Sequence, residues 1–501
     1  MLRSFMKDLI SYIPAQVLPG FIAFLSVLVF TRLIPPGDYG NYTLVMATVT
    51  IFTSISGWVG MGVIRFYVPF KESGKERDFK AGVTYLCLLT VSTVGVAFCL
   101  ALMMLTQRLE PQLGLLMRIG VVIFIARAVS DVLCQFLRVQ YRLGWFSAYK
   151  TWEAGGTLLL GLLLVQGLGT GVKGLLWGAA IASLLAVVPL WRQLLGDVRL
   201  EINQSAFWRL AREVAAYSLP LVAGNLAAWV LSLGDRYVLA VLRSSYEVGI
   251  YAAAYSIAEK SILMLSTLFM LASGQLMVEI WETRGKAAAG TLLMSVMRAY
   301  LILCLPAVAG LAALSKLAMD MLTGAEYAAG YRVLPWVAAG AFFLGFQQRF
   351  QAALVLKKKT VPIMVSLLMA GLLNILLNLI FVPRYGYIAA AIITLVCYAV
   401  LAGFMAVLSR REFTWHFPWG SLARSALASS IMAAAVYPIG QWLTRSLLVN
   451  LGAGITVGIG VYIFVLYVTG ELRPAEKQKI AQLFNKKVLL VVNGMARGWF
   501  R

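Results

Sequence analysis

Histidine is all but missing from this chain: His416 is the sole one among 501 residues. A histidine-based metal centre or a Ser-His-Asp triad therefore has almost no material to be built from. Charge is also scarce, at 13% of residues, where soluble domains carry roughly a quarter. Cysteine is sparse and odd in number. Cys87, Cys99, Cys134, Cys304 and Cys397 all fall inside apolar runs. None has metal-ligand spacing, so they read as small buried apolar residues rather than a disulfide framework. No Walker A pattern occurs, which excludes work driven by ATP hydrolysis on this chain. Long polar inserts are missing too. The widest interval between apolar runs is about 18 residues, too short for an enzyme domain. No cofactor or metal is expected, and whatever the protein does must be built among its apolar segments.

What the chain has in abundance is apolar sequence. Hydrophobic residues make up 61%, and the mean hydropathy is +0.83. In water that surface would form patches far larger than a soluble monomer tolerates. In a bilayer it faces lipid without penalty, provided that every backbone polar group is bonded internally. The runs are long and unbroken rather than alternating, which predicts helices and not barrel strands. About fourteen spans are expected, near 10–33, 42–66, 81–105, 114–137, 148–167, 174–195, 214–234, 248–278, 291–314, 331–355, 361–382, 387–409, 421–443 and 450–469. The first run is too long for a signal-peptide core and is read as a retained span.

The net charge is +22. The basic residues are dispersed over short loops, so a nucleic-acid partner is not expected. With the N-terminus inside, Lys and Arg number 27 in inside segments against 9 in outside ones. That asymmetry predicts cytoplasmic N- and C-termini and an even number of spans. Residues 200–213 are amphipathic and read as an interfacial linker helix. The basic tail, 471–501, is suited to anionic headgroups.

A weak repeat recurs at a spacing of about 210 residues. Tyr39-Gly40-Asn41-Tyr42 parallels Val248-Gly249-Ile250-Tyr251, and Ala179-Ala180-Ile181-Ala182-Ser183-Leu184 parallels Ala390-Ala391-Ile392-Ile393-Thr394-Leu395. Leu18-Pro19 parallels Leu219-Pro220. Six spans return the chain to its starting side. The two repeats would then share one orientation, related by an axis along the membrane normal. The expected organisation is an N-terminal lobe (1–199), the linker (200–213), a C-terminal lobe (214–410), an appended helix pair (411–470) and the tail.

Charges inside spans are the informative residues, because each costs roughly 2.5–3.5 kcal/mol at the bilayer centre. Arg65, Arg118, Arg127, Lys260, Arg298, Arg349 and Arg424 face only Asp131, Glu153, Glu259 and Glu279. Arg127 and Asp131, four apart on one helix face, are expected to pair. Arg65 and Arg118 lie near span ends, where they can snorkel. Arg298 and Arg349 lie deeper and have no same-helix partner. The surplus points to a positive cavity lined by Arg127, Lys260, Arg298 and Arg349, suited to a phosphate or pyrophosphate. Asp131, Glu153 and Glu259 are candidates for proton or sodium coupling. Gln347 and Gln348 are further candidates for the lining, while Asn225, Asn374 and Asn378 read as helix–helix hydrogen-bonding residues. Gly169-Thr170-Gly171-Val172-Lys173-Gly174 fits a dinucleotide fingerprint in letters only; no strand precedes it, and it reads as a hairpin.

Several ordered motifs carry a resemblance. They are Arg32-Leu33 followed by Asp38-Tyr39-Gly40-Asn41-Tyr42; Tyr217-Ser218-Leu219-Pro220 leading to Asp235-Arg236 and Val248-Gly249-Ile250-Tyr251; Gly324-Ala325-Glu326-Tyr327; and Asn374 and Asn378 leading to Pro383-Arg384-Tyr385-Gly386 and Ala389-Ala390-Ala391-Ile392. Over residues 5–470 the chain resembles the O-antigen and exopolysaccharide flippases of the multidrug/oligosaccharidyl-lipid/polysaccharide exporter superfamily. The resemblance implies an all-α polytopic membrane protein, with fourteen helices in two six-helix lobes around a central cavity that alternates between faces. It also implies a bacterial or archaeal cytoplasmic membrane and, as substrate, a polyprenyl-diphosphate-linked oligosaccharide. Polysaccharide polymerases and glycosyltransferases are the partners such a flippase would serve. No substrate-contact residue transfers by motif. The alternatives are a multidrug or metabolite antiporter, whose cavity should be acidic, and a membrane-embedded glycan polymerase, ligase or acyltransferase. A scaffold within a biosynthetic complex is the third.

Overall fold

The computed structural model describes residues 2–105, 110–196, 204–357, 359–412, 415–442 and 446–472. Residues 200–203 of the expected linker and 473–501 of the expected tail lie outside them. Every regular element among the described residues is helical. Ten helices are each long and apolar enough to cross a bilayer, and an eleventh arises from the bent pair 325–332 and 334–356.

The chain runs α1 (Leu2–Leu33), α2 (Pro36–Ser56), α3 (Trp58–Glu72), α4 (Glu76–Leu105), α5 (Pro111–Val139), α6 (Leu143–Leu162) and α7 (Val172–Leu195). It continues through α8 (Gln204–Leu242), α9 (Ser245–Ala313), α10 (Ser315–Leu322), α11 (Leu334–Leu356), α12 (Val361–Glu412), α13 (Trp419–Trp442) and α14 (Leu447–Val468). Two of these are too long to be single spans. At 1.5 Å per residue, the 69 residues of α9 would run about 104 Å and the 52 of α12 about 78 Å. The hydrocarbon core is only about 30 Å thick.

Each long helix breaks at one glycine with a positive φ, Gly285 (77°) and Gly386 (59°). Glycine adopts that conformation without the steric penalty of a side chain. Contacts across the breaks show the chain doubling back. The Phe269 and Tyr300 rings stand 6.2 Å apart on the two arms of α9. Asn374 on the first arm of α12 donates to Thr394 on the second. With α12 counted as two spans, and with α1 and α6 included, the bundle has fourteen spans. α2 and α3 form one of them, 36–72, bent at Gly57.

α1–α7 make one six-span lobe and α8–α12 the other. The linker expected as a separate helix is instead continuous with the seventh span: residues 204–213 open the 39-residue α8. Phe207 there packs edge-on against Tyr85 of α4, tying the start of the second lobe to the first.

α13 and α14 lie against the second arm of α9. Met432, Val436, Tyr462 and Leu466 close a small apolar core with Leu314 and Leu317. One carboxylate fastens this pair. Glu471, just past α14, accepts from Arg298 Nε at 2.7 Å, Ser421 Oγ at 2.7 Å and Arg424 at 3.1 Å. Burial would raise the Glu471 carboxyl, but the bonds from Ser421, Arg298 and Arg424 outweigh it and hold the group below the ordinary carboxylate range. Breaking a buried pair strands its partner charge and costs roughly 3–5 kcal/mol. Glu471→Ala should therefore lower the melting temperature of the purified protein in detergent, and Arg298→Ala added to it should cost much less than the sum of the two. An unchanged melt in the single variant contradicts the clamp.

Candidate functional site

The two halves of the repeat meet each other. The start of α2 crosses the start of α9 so closely that a Cβ on Gly40 would overlap the Ser245 carbonyl oxygen. Reciprocally, a Cβ on Gly249 would overlap the carbonyl oxygen of Pro36. Gly40 and Gly249 are the equivalent glycines of the repeat. Around them the 3-10 turn Ala325–Arg332 completes the seal. Tyr327 donates to the Ile34 carbonyl at 2.7 Å, its ring meets Tyr39 edge-on, and Arg32 bonds the Met321 carbonyl. This end of the bundle is closed.

Below the seal the lobes part around a cavity of about 570 Å³. A second space, of about 520 Å³, continues it towards the opposite end, and the two share Thr50, Arg127, Lys150 and Glu153. Among the described residues few bonds cross the seam beside the cavity: Trp229 Nε1 to the Ala47 carbonyl, Tyr237 with Thr48 and to the Leu44 carbonyl, and Lys260 Nζ to the Ala23 carbonyl at 2.9 Å.

The charge on the walls is arranged by lobe. On the first lobe, Lys150 of α6 donates to Asp131 Oδ1 at 2.8 Å and to Glu153 Oε2 at 3.0 Å. Arg127 Nε stands 3.4 Å from Glu153 Oε1, an ion-pair distance without a well-formed hydrogen bond. The second lobe contributes Arg236 of α8 and Lys260 of α9. Arg236 lies 4.8 Å over the Tyr255 ring and donates to the Ser232 carbonyl. Four cations and two carboxylates line the joined space, a surplus of two positive charges. Behind the wall lie Glu259, within electrostatic reach of Arg236 and Lys260, and Asp235, fully buried and bonded by Tyr251 and Thr394.

The structure thus brings together Arg127, Lys260, Asp131 and Glu153 of the residues expected from sequence. It does not bring Arg298 or Arg349 to the cavity. Arg298 belongs to the Glu471 clamp. Arg349 is buried inside the second lobe, donating to Ser266 Oγ, the Ser266 carbonyl and the Gly345 carbonyl, 4.2 Å from the Tyr300 ring centre. Gln347 and Gln348 stay in the same region, bonded to Gln351 and Ser266. The Arg127–Asp131 pair does not form either. Lys150 takes Asp131, and Arg127 turns across to α6. Asn374 and Asn378 bond each other and the second arm of α12, as helix–helix residues do.

Two cavity cations escaped the sequence reading. Lys150 lies at the start of the expected span 148–167 and Arg236 just past the expected span 214–234, and neither is in the set expected from sequence. The signals were present: Lys150 stands three residues from Glu153 on one helix face, and Arg236 lies in the Asp235-Arg236 motif.

Two apposed six-span lobes with a seam cavity and an added helix pair define a transporter-type fold. The chain belongs to the polysaccharide biosynthesis protein family, whose model matches residues 5–273. It is 20% identical over 483 residues to the probable low-salt glycan biosynthesis flippase Agl15 of Haloferax volcanii, covering 94% of this chain and 97% of that one. The fold is that of the lipid II flippase MurJ in an inward closed conformation. That match has a TM-score of 0.75 and 15% identity, over 92% of this chain and 99% of the other. An inward-facing multidrug resistance MATE transporter matches with a TM-score of 0.69 and 11% identity, over 80% and 97%.

The seal yields a direct prediction. Gly40→Val or Gly249→Val inserts a side chain where backbone already stands, so the closed end must open. A single cysteine placed at the buried Val248, in a background lacking the five native cysteines, should then react several-fold faster with a membrane-impermeant maleimide. Equal labelling with and without the valine would contradict the close approach.

Proposed function

We propose that this protein turns a polyprenyl-diphosphate-linked oligosaccharide from the cytoplasmic to the outer leaflet of a bacterial or archaeal cytoplasmic membrane, by alternating access of the seam cavity. The observation that carries this reading is the set of Arg127, Lys150, Arg236 and Lys260, contributed by both lobes to one space. A diphosphate needs fixed donors to leave water, and arginine and lysine supply them. The sugar, polar and uncharged, suits the tyrosine and threonine lining, such as Tyr39, Tyr42 and Thr43. Two relatives support the substrate class, since Agl15 and MurJ are named as flippases, of glycan biosynthesis and of lipid II.

The loop-charge asymmetry supports an outer location for the Gly40–Gly249 seal, and in that reading this conformation takes substrate from the cytoplasm. The partners would be the glycosyltransferases that build the glycan and the polymerase that extends it. Asp131 and Glu153 are already spent on Lys150 and Arg127. A coupling ion would have to compete with those cations, which makes these two carboxylates better candidates than Glu259, behind the wall. An antiporter for cationic drugs would need the opposite sign of cavity.

The test is flipping of such a lipid in proteoliposomes. Losing a charged hydrogen bond costs about 1.5–3 kcal/mol, so Arg127→Gln, Arg236→Gln and Lys260→Gln should each slow flipping by about 10- to 100-fold. Lys150→Gln should do more, because it also strands Asp131 and Glu153. Parental rates in all four variants would sink the proposal.

A further inference from the structure

Away from the seam, a second polar site lies at the unsealed end of the first lobe. A cavity of about 230 Å³ opens where α3 ends, α4 begins and α5 and α7 both end. Its floor is the buried Tyr67 and Leu194. Glu76 is its sole acid and is already engaged, accepting from Tyr67 at 2.8 Å and from Lys80 at 2.9 Å. Lys71 and Arg142 face the same cleft, and among the described residues neither has an ion-pair partner. Gln140 and Gln193 add amide donors to the rim. Three cations against one carboxylate leave the cleft at plus two.

The loop carrying Arg142 is strained. Tyr141 has φ 56°, and it is the sole non-glycine residue with a positive φ among the described residues. That region of backbone space is sterically costly for a residue with a side chain. No packing of its own ring offsets that cost, since Tyr141 is 86% exposed. Trp145, one turn further, is 55% exposed. Exposed Tyr and Trp at the end of apolar spans mark the depth of lipid headgroups.

We propose that this cleft binds the phosphate headgroup of an anionic membrane lipid, between Lys71, Arg142 and the two glutamine amides. The chemistry recognised is an anionic phosphate with free non-bridging oxygens, which a soluble phosphate also offers. The exposed Tyr141 and Trp145 beside Arg142 favour the lipid, because a free anion gains nothing from them. The site is separate from the seam cavity and does not depend on what that cavity carries.

The experiment is a thermal-shift titration of the full-length protein in neutral detergent. The probes are short-chain phosphatidylglycerol, short-chain phosphatidylcholine and inorganic phosphate. Phosphatidylglycerol should raise the melting temperature saturably, and the other two should not. Lys71→Gln combined with Arg142→Gln should weaken half-saturation about 30-fold, the effect of removing two charges at a membrane surface. Lys75→Gln with Arg77→Gln, on exposed residues outside the cleft, should leave the titration unchanged. Lys71→Arg with Arg142→Lys preserves the charge and should retain binding, which separates the site from a folding defect. An unaltered titration in the Lys71→Gln, Arg142→Gln variant overturns the proposal. A full shift with inorganic phosphate alone, or an equal one with phosphatidylcholine, overturns the lipid assignment.

Discussion

The backbone contact between Gly40 and Gly249 is the constraint on which the rest of the arrangement depends. Two helix starts, each opened by a loop from its own lobe, approach until neither tolerates a Cβ. Side chains cannot mediate such a contact, so it forms fully or not at all. It pins the lobes at one end and leaves the seam between them to widen towards the other. The cavity, its charged walls and the few cross-seam bonds all follow from that wedge shape. Because the two contacting segments are repeats of one another, the seal is nearly symmetric. In the proposed alternating access, rocking one lobe against the other would break both halves of it together.

Charge within the membrane follows a second rule, which six of its cations show by having a compensating partner. Arg298 has Glu471, and Arg349 has Ser266 and Tyr300. In the seam, Arg127 and Lys150 share Asp131 and Glu153 on one lobe, while Arg236 and Lys260 on the other hold carbonyl oxygens and an aromatic face. An anion of the proposed kind would therefore meet cations whose present partners are weak or shared. Such partners can be exchanged for a phosphate oxygen without leaving a bare charge in a medium of low dielectric.

Much of this was legible in the sequence, and the reasons for success and failure are physical. Apolar runs report burial in lipid directly, so span number and the two Gly-broken hairpins of α9 and α12 were recoverable. The repeat motifs pointed at Gly40 and Gly249, since recurrence in apolar sequence is informative where composition is not. Cavity membership was harder. Whether a cation in a span faces a cavity or another helix depends on rotation and tertiary partners, which periodicity does not encode. Arg298 and Arg349 looked unpaired because their partners are 173 and 83 residues away along the chain. Arg127 seemed paired with Asp131 because i,i+4 spacing is visible and Lys150 on the next helix is not. Lys150 and Arg236 were lost at span ends, where hydropathy alone sets boundaries poorly.

The most direct test of alternating access is to hold the sealed end shut while flipping is measured. Single cysteines from Gly37→Cys and Tyr246→Cys, in a background without the native five, would be bridged by a short cleavable bis-maleimide. Flipping of a polyprenyl-diphosphate-linked oligosaccharide in proteoliposomes should stop when the bridge forms and return when it is cleaved. Continued flipping across a fully bridged population would contradict the account.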